Sequence, residues 1–534
     1  MKHSKSLLIA GVVFFICNTS KAQVSEISPA MDKIAAVMQY INYYYVDSVK
    51  QEKLTEDAIN GVLKELDPHS VYISKKELNA MNEPLQGNFD GIGVQFNILH
   101  DTITVVAAIP GGPSEKLGIQ GGDKIILIET ENVAGKKVKN EDVMKKLRGP
   151  KGTKVKVSIK RTGSKDLIDF TITRDKIPLY SIDATYMATP TIGYIKLSRF
   201  ARTSMDEFRE SLKTLKDKGA KDLILDLTDN GGGYLDIAFE LSDQFLEDKK
   251  LIVYTQGVKS PRKEYVATSK GEFEKGRIVV MINEGSASAS EILSGAIQDW
   301  DRGLVIGRRS FGKGLVQNQF PLPDGAAMRL TIARYYTPVG RNIQKAYSGG
   351  EEGDDAYDKD LEKRYKHGEF FSADSIKFPD SLKFYTPNKR LVYGGGGIMP
   401  DLFVPLDTSH SSAYYSKIIR KGVLNQFCLS YVDRNRKKLN VTYPTFEDYK
   451  KNFKVDEVLM NELMEEAEKQ GIKKDLKDFE KVKDIAKIQL KAIISGDLYK
   501  RDNSTEIFNE LNDIYLKAVQ VLQDDTFKKM KITN

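Results

Sequence analysis

The stretch EGSASASEI (284–292) sets Ser286, Ser288 and Ser290 between an apolar run, GRIVVMIN (276–283), and the helix-like ILSGAIQDW (292–300). A hydroxyl at a strand–helix junction meets exposed backbone N–H groups and a helix dipole, both of which favour a developing negative charge. Ser288 occupies that junction and is a candidate nucleophile for acyl transfer. The same residues also read as an N-cap with small packing neighbours, and on the local sequence both readings stand. A serine hydroxyl is a weak nucleophile and needs a proton acceptor, usually histidine. The five histidines are His3, His69, His100, His367 and His410, and none lies in the α/β stretch that carries Ser288. The other available base is a lysine kept neutral by burial. RRSFGKGLVQ (308–317) offers Lys313, flanked by Gly312 and Gly314, in a setting small enough for the side chain to point inward.

These residues need a frame. From 192 onward strands alternate with longer helices: DLILDLT (222–228), the loop DNGGGY, the helical LDIAFELSDQFLED (235–248), RIVVMIN (277–283), a helix over 288–300, GLVIG (303–307) and AMRLTIARYYT (327–337). That order predicts an α/β layout. Ahead of it, 88–176 breaks into short alternating runs separated by glycine turns, with one helical pattern at 140–149, which predicts a small β-rich domain with a helix. Residues 23–87 read as helical, with apolar residues at three- and four-residue spacing, and end in LDPHSVYI (66–73). Residues 346–389 read as an insertion or flexible loop, 390–409 as the return to the core, and 410–534 as charged amphipathic helices.

With 534 residues, 40% hydrophobic and 29% charged, the chain is long enough for several cores. The net charge is +7, and without Lys2, Lys5 and Lys21 of the first 22 residues it is +4 over the remaining 512; a nucleic-acid partner is not expected. Residues 1–22 have the layout of a secretory signal peptide: basic Lys2 and Lys5, the apolar LLIAGVVFFIC (7–17), and SKA before Gln23. An exported, periplasmic protein is expected. A lipid anchor on Cys17 is not, because bulky Ile16 stands where a lipobox has a small residue. Beyond the leader only Cys428 remains, expected as a small core residue. There is no HExxH, no paired His/Cys set and no phosphate loop, so neither metal nor cofactor is expected.

SASASEI followed by FGKG, with Gln317 four residues after Lys313, resembles the C-terminal processing peptidases, or tail-specific proteases. LDPHS (66–70), LRGPKGT (147–153), LDLTDNGGG (225–233), MRLTIARYYTPVGRNI (328–343) and GIMPDLFV (397–404) extend the likeness in the right order. The resemblance implies Ser288 as nucleophile, Lys313 as base and Gln317 as the residue that orients the lysine. It implies backbone N–H groups of Gly233 and Ala289 as the oxyanion hole, and an α/β protease core (177–345) of crotonase-like ββα type. It further implies that 88–176 is an inserted PDZ domain, an identification strengthened by IPGGPSEKLGIQGGDKI (109–125). There GIGV would hold a peptide's terminal carboxylate: Gly91 and Gly93 through their N–H groups, Ile92 and Val94 at an apolar pocket. Arg148 stands where some relatives couple peptide occupancy to the active site. Asp299, near the end of the 288–300 helix, is read as structural.

The expected activity is therefore an exported serine endopeptidase that recognises protein C-termini and cleaves through an acyl-enzyme. Its expected partners are polypeptides with accessible C-terminal tails; an adaptor or regulatory partner and a homo-oligomer stay open. The alternatives are a non-catalytic peptide-binding scaffold, a protease switched on by a partner, and a crotonase-like acyl-CoA enzyme that would need neither Ser288 nor Lys313.

Overall fold

The computed structural model describes residues 29–99 and 101–532; the leader and Cys17 lie outside them. The chain divides into two compact units, Met1–Val62 and Leu63–Asn534. The described part of the first holds helix Pro29–Tyr44 and most of helix Gln51–Lys64.

The core of the second unit is a six-stranded sheet. Its order is Ile182–Thr189, Ile192–Leu197, Asp222–Asp226, Ile278–Ile282, Leu304–Gly307, Leu402–Phe403; the first pair is antiparallel and the rest parallel. The central strands are buried on both faces, which is why they read as continuous apolar runs rather than alternating ones. Their side chains still alternate between two cores. Leu223, Leu225, Val280 and Ile282 pack with Phe208, Leu241, Leu293 and Ala296 from helices Ser204–Asp217, Leu235–Asp243 and Ala289–Asp299. Ile224, Val279, Met281 and Ile306 face the other way, onto Ile514, Ala518, Val521 and Leu522 of helix Asp513–Gln523.

That last contact splits the region expected as one helical C-terminus. Residues 414–507 contribute a helical core of their own, in which Cys428 is a buried free thiol. Helix Asp513–Gln523 instead completes the α/β core as its second helical layer. The helical region also backs the β-rich domain: a Cβ at Gly122 would lie 2.7 Å from Asp433 Oδ1. A cavity of about 530 Å³ between Thr104, Lys124, Phe427 and Arg434 marks the same border.

The β-rich domain is a sheet in the order Val94–Leu99, Thr102–Ala108, Lys124–Ile128, Lys154–Lys160, Ile168–Thr173, with Glu131–Asn132 beside Lys124–Ile128. Helix Asn140–Leu147 closes its core through Val143 and Leu147. The chain enters and leaves along one antiparallel ribbon, Asn88–Gly91 against Asp175–Pro178. A second sheet of the core joins Val71–Ile73, Ala327–Tyr336, Leu251–Gly257 and Ser260–Val266, with Leu315–Pro321 also paired to Ala327–Tyr336.

The insertion is ordered, against the expectation of a flexible loop. It forms helices Glu351–Asp358 and Asp360–Lys366 and a strand pair, Lys383–Tyr385 with Leu391–Tyr393. Its anchor is Arg364, 3% exposed. The guanidinium donates to the carbonyls of Arg309 (2.7 Å) and Ser310 (3.1 Å) and to Glu369 (3.2 Å). Polar composition concealed this, because the group that docks the segment is itself a charge satisfied on arrival. Among the described residues no helix is long and apolar enough to cross a membrane.

Arg364→Met should cost roughly 2–4 kcal/mol, because it leaves buried carbonyls without donors. Chemical denaturation measures the loss. Limited proteolysis should then cut between 351 and 385, and an unchanged digestion pattern would mean the segment is held by other contacts.

Candidate active site

Ser288 follows strand Ile278–Ile282 and precedes helix Ala289–Asp299. The three serines of the motif divide their tasks. Ser286 Oγ donates to Leu227 O (2.7 Å) and accepts from Asn283 N–H (2.9 Å). Ser290 Oγ donates to Asn230 O (2.8 Å). Both hydroxyls are buried; Ser290 ties the turn to the neighbouring DNGGG loop and Ser286 ties it to the residues just before that loop. Only Ser288 is half-buried rather than buried, and its backbone is bent to φ 56°, ψ −111°. A positive φ at a non-glycine residue is strained and persists only where the surroundings over-determine it.

The surroundings are Glu291 and Tyr335. The Glu291 carboxylate is wholly buried. One oxygen accepts from the N–H groups of Ser288 (2.8 Å) and Lys313 (2.9 Å); the other accepts from Gly312 N–H (2.7 Å) and Ser310 Oγ (2.5 Å). The Tyr335 hydroxyl faces the carbonyl of Ser288, at 3.2 Å, and that of Lys313. One acid and one phenol thus hold the backbones of the serine and the lysine in a fixed relation. Burial drives the Glu291 carboxyl up to about 7 despite the donors around it.

Lys313 is half-buried. Burial, then the charge of Arg329, lowers its amine below the usual lysine range, against the pull of Glu291 and Asp67. Gln317 sits two residues into strand Leu315–Pro321, and its Nε2 donates to Thr331 Oγ1 at 3.2 Å. The LDPHS turn comes to this place too, which sequence order did not reveal. His69 bonds the Tyr357 hydroxyl at 2.9 Å. Its imidazole is lowered to about 4, first by burial and then by the Lys313 charge, so it is a weak base and stays neutral beside the lysine.

The DNGGG loop follows Asp222–Asp226, the strand beside Ile278–Ile282. Asn230 shapes it, donating to Leu197 O (2.8 Å) and accepting from Gly232 N–H (2.9 Å). Gly233 has φ 153°, and a Cβ there would lie 2.1 Å from Phe200 O. Gly232, absent from the expected set, is the residue against the serine: a Cβ on it would meet Ser288 Cβ at 2.9 Å and Ala289 N at 3.0 Å. The N–H groups of Gly233 and Ala289 have no hydrogen-bond partner among the described residues. Asp299 is fully buried and paired with Arg341, the structural role expected of it.

In the β-rich domain, Val94–Leu99 is an outer strand of its sheet and can receive a peptide strand on its free side. Gly91 is buried, and Gly93 turns at φ 74°. Ile92 is 3% exposed in the domain core, and its carbonyl accepts from Ser114 N–H (3.1 Å) and Oγ (2.6 Å). Val94 remains half-buried beside it. Arg148 is not brought to the serine. Its guanidinium donates to Glu83 (2.7 Å) and lies 4.4 Å from the Phe89 ring centroid, at the ribbon that carries the domain. No group of acidic, histidine or cysteine side chains suited to a metal occurs among the described residues.

Comparison with known proteins places the chain in a family. Residues 191–351 match peptidase family S41, residues 16–77 match the "Activating protease CtpB N-terminal domain", and residues 414–500 match a family of unknown function. The chain is 33% identical over 423 residues to the carboxy-terminal processing protease CtpB of Bacillus subtilis, an alignment covering 78% of this chain and 83% of that one. Among solved structures, a photosystem II D1 C-terminal processing protease is similar at 28% identity, covering 60% of this chain and 85% of that one, with a TM-score of 0.35. The PDZ domain of a Vibrio cholerae carboxy-terminal protease is similar at 31% identity over 17% of this chain and 99% of its own, with a TM-score of 0.16. The chain belongs to the carboxy-terminal processing serine proteases of peptidase family S41.

Proposed function

We propose that this protease cleaves by a Ser288–Lys313 mechanism on polypeptides whose free C-terminus docks on the PDZ domain. The observation that carries the reading is the shared hold of Glu291 and Tyr335 on the backbones of Ser288 and Lys313, together with the burial that keeps the lysine amine easy to deprotonate. Neutral Lys313 takes the proton from Ser288 Oγ, which attacks the scissile carbonyl. The Gly233 and Ala289 N–H groups receive the oxyanion, each worth about 3 kcal/mol of transition-state stabilisation. Lys313 returns its proton to the leaving amine and then deprotonates the water that releases the acyl-enzyme. Gln317 supplies the lysine with a hydrogen-bond partner. A substrate tail would add to strand Val94–Leu99 with its carboxylate at Gly91 and Gly93, and Arg148 would relay occupancy through the Asn88–Gly91 ribbon. The crotonase-like reading of the core is supported by its parallel sheet with the oxyanion loop and nucleophile turn on adjacent strands. The leader supports export to the periplasm. An adaptor on residues 414–500 or a homo-oligomer would be additions to this scheme.

The decisive assay uses an unfolded reporter with an apolar C-terminal tail, either free or capped as an amide. Cleavage of the free tail only, lost in Ser288→Ala and in Lys313→Ala, is the expected result; equal cleavage by either variant would remove the dyad. The second expectation concerns pH. Since Lys313 acts deprotonated and its pKa is lowered, kcat/KM should rise with pH through a midpoint below the ordinary lysine range. Arg329→Gln removes a nearby positive charge, favours the ammonium and should move that midpoint upward. Glu291→Gln places an amide N–H among N–H donors and should lower kcat by on the order of 100-fold through misplacement of the dyad. Turnover near wild type in that variant would mean that the clasp is dispensable.

A further inference from the structure

Asp67, in the LDPHS turn, is 6% exposed. Four donors converge on its carboxylate: the N–H groups of His69 (2.9 Å) and Ser70 (3.1 Å), the Ser70 hydroxyl (2.6 Å) and the Thr331 hydroxyl (3.0 Å). The first three close the turn on itself. The fourth crosses to strand Ala327–Tyr336, where Thr331 N–H also donates to Ser70 Oγ at 3.1 Å. Strand Val71–Ile73 pairs with the same strand, Val71 opposite Arg329, which fixes the turn against it. On its other side that strand sets Thr331 opposite Gln317.

A hydroxyl has one hydrogen to give, and a carboxylate can only accept. Thr331 gives its hydrogen to Asp67 and so meets Gln317 with a lone pair. Only the amide nitrogen of Gln317 satisfies a lone pair, and Nε2 is the atom that donates there, at 3.2 Å. The other end of the amide, Oε1, is then the one left to accept. An amide oxygen is what the amine of Lys313 requires as a partner; a reversed amide would oppose donors to donors. Asp67 acts on Lys313 directly as well, its charge favouring the protonated amine.

We infer that Asp67 and Thr331 are positioning residues for proteolysis, which fix the direction of the Gln317 amide so that its oxygen serves Lys313. The inference rests on the Ser288–Lys313 reading and adds two residues to it. Neither touches the reacting atoms. Asp67 and Thr331 lie far apart in the chain, and neither type at either place signals chemistry by itself.

The test is steady-state cleavage of the free-tail reporter by the full chain. Thr331→Val keeps the shape and removes the hydroxyl; kcat should fall about tenfold, the weight of one hydrogen bond to an ionising group, with KM unchanged. Thr331→Ser should restore it. Gln317→Ala should lose as much, and the double variant no more than Gln317→Ala alone, because both changes remove the same interaction. Should Thr331→Val fold poorly, Thr331→Ala serves in its place, and Asp67→Ala removes the acceptor that takes the Thr331 hydrogen, leaving the hydroxyl free to turn and releasing the amide direction. Wild-type kcat in these variants, or losses that multiply in the double variant, would overturn the inference. Lys313→Ala assayed beside them separates the two levels. If it retains activity the dyad itself fails, whereas an inactive Lys313→Ala beside a fully active Thr331→Val removes only the positioning role.

Discussion

A single buried carboxylate organises the candidate active site. Glu291 lies one turn into the helix that Ser288 begins, without exposure to solvent, and a charge so placed is tolerated only when its lone pairs are met. The donors that meet them come from two separate stretches, 288 and 310–313. Satisfying the acid and holding Ser288 and Lys313 in a fixed relation are therefore one requirement. Tyr335 repeats the arrangement with opposite polarity, its hydroxyl facing the carbonyls of the same two residues. The strained backbone of Ser288 is what this double hold sustains.

The rest of the core delivers the pieces to that point. Asp222–Asp226 and Ile278–Ile282 are parallel neighbours, so the loop after one and the turn after the other emerge side by side. Such carboxyl ends of parallel strands are where open α/β sheets hold their ligands. The lysine arrives from the other direction, at the start of a strand in the second sheet. The site is thus a joint between two sheets, with the insertion pinned by Arg364 to the carbonyls just ahead of FGKG.

Much of this was legible in the sequence, and what was not has a physical cause. The alternation of apolar strands with helices marked the core because strands buried on both faces must be apolar throughout. Ser288 and Lys313 stood out through small neighbours and through the scarcity of histidine. Glu291 did not, since one acid in a helix reads as surface until its depth is known. Asp67 and Thr331 meet across 264 residues, a separation that no local period encodes. Gly232 was not singled out because a run of glycines does not say which one packs against the serine. The insertion looked flexible because its polar residues are satisfied by the core and not by each other. Helix Asp513–Gln523 was grouped with its helical neighbours, whereas its apolar face belongs to the sheet.

The span of chain that the site draws on has a bearing on its biosynthesis. The serine's working environment includes the turn at 66–70, the lysine segment, the insertion helix carrying Tyr357 and, behind the sheet, helix Asp513–Gln523. A nascent chain that has just emerged through residue 300 already contains Ser288, the DNGGG loop and Glu291, but neither Lys313 nor the layer that closes the second face of the sheet. The surroundings of Ser288 are therefore complete only once helix Asp513–Gln523 has joined the second face of the sheet.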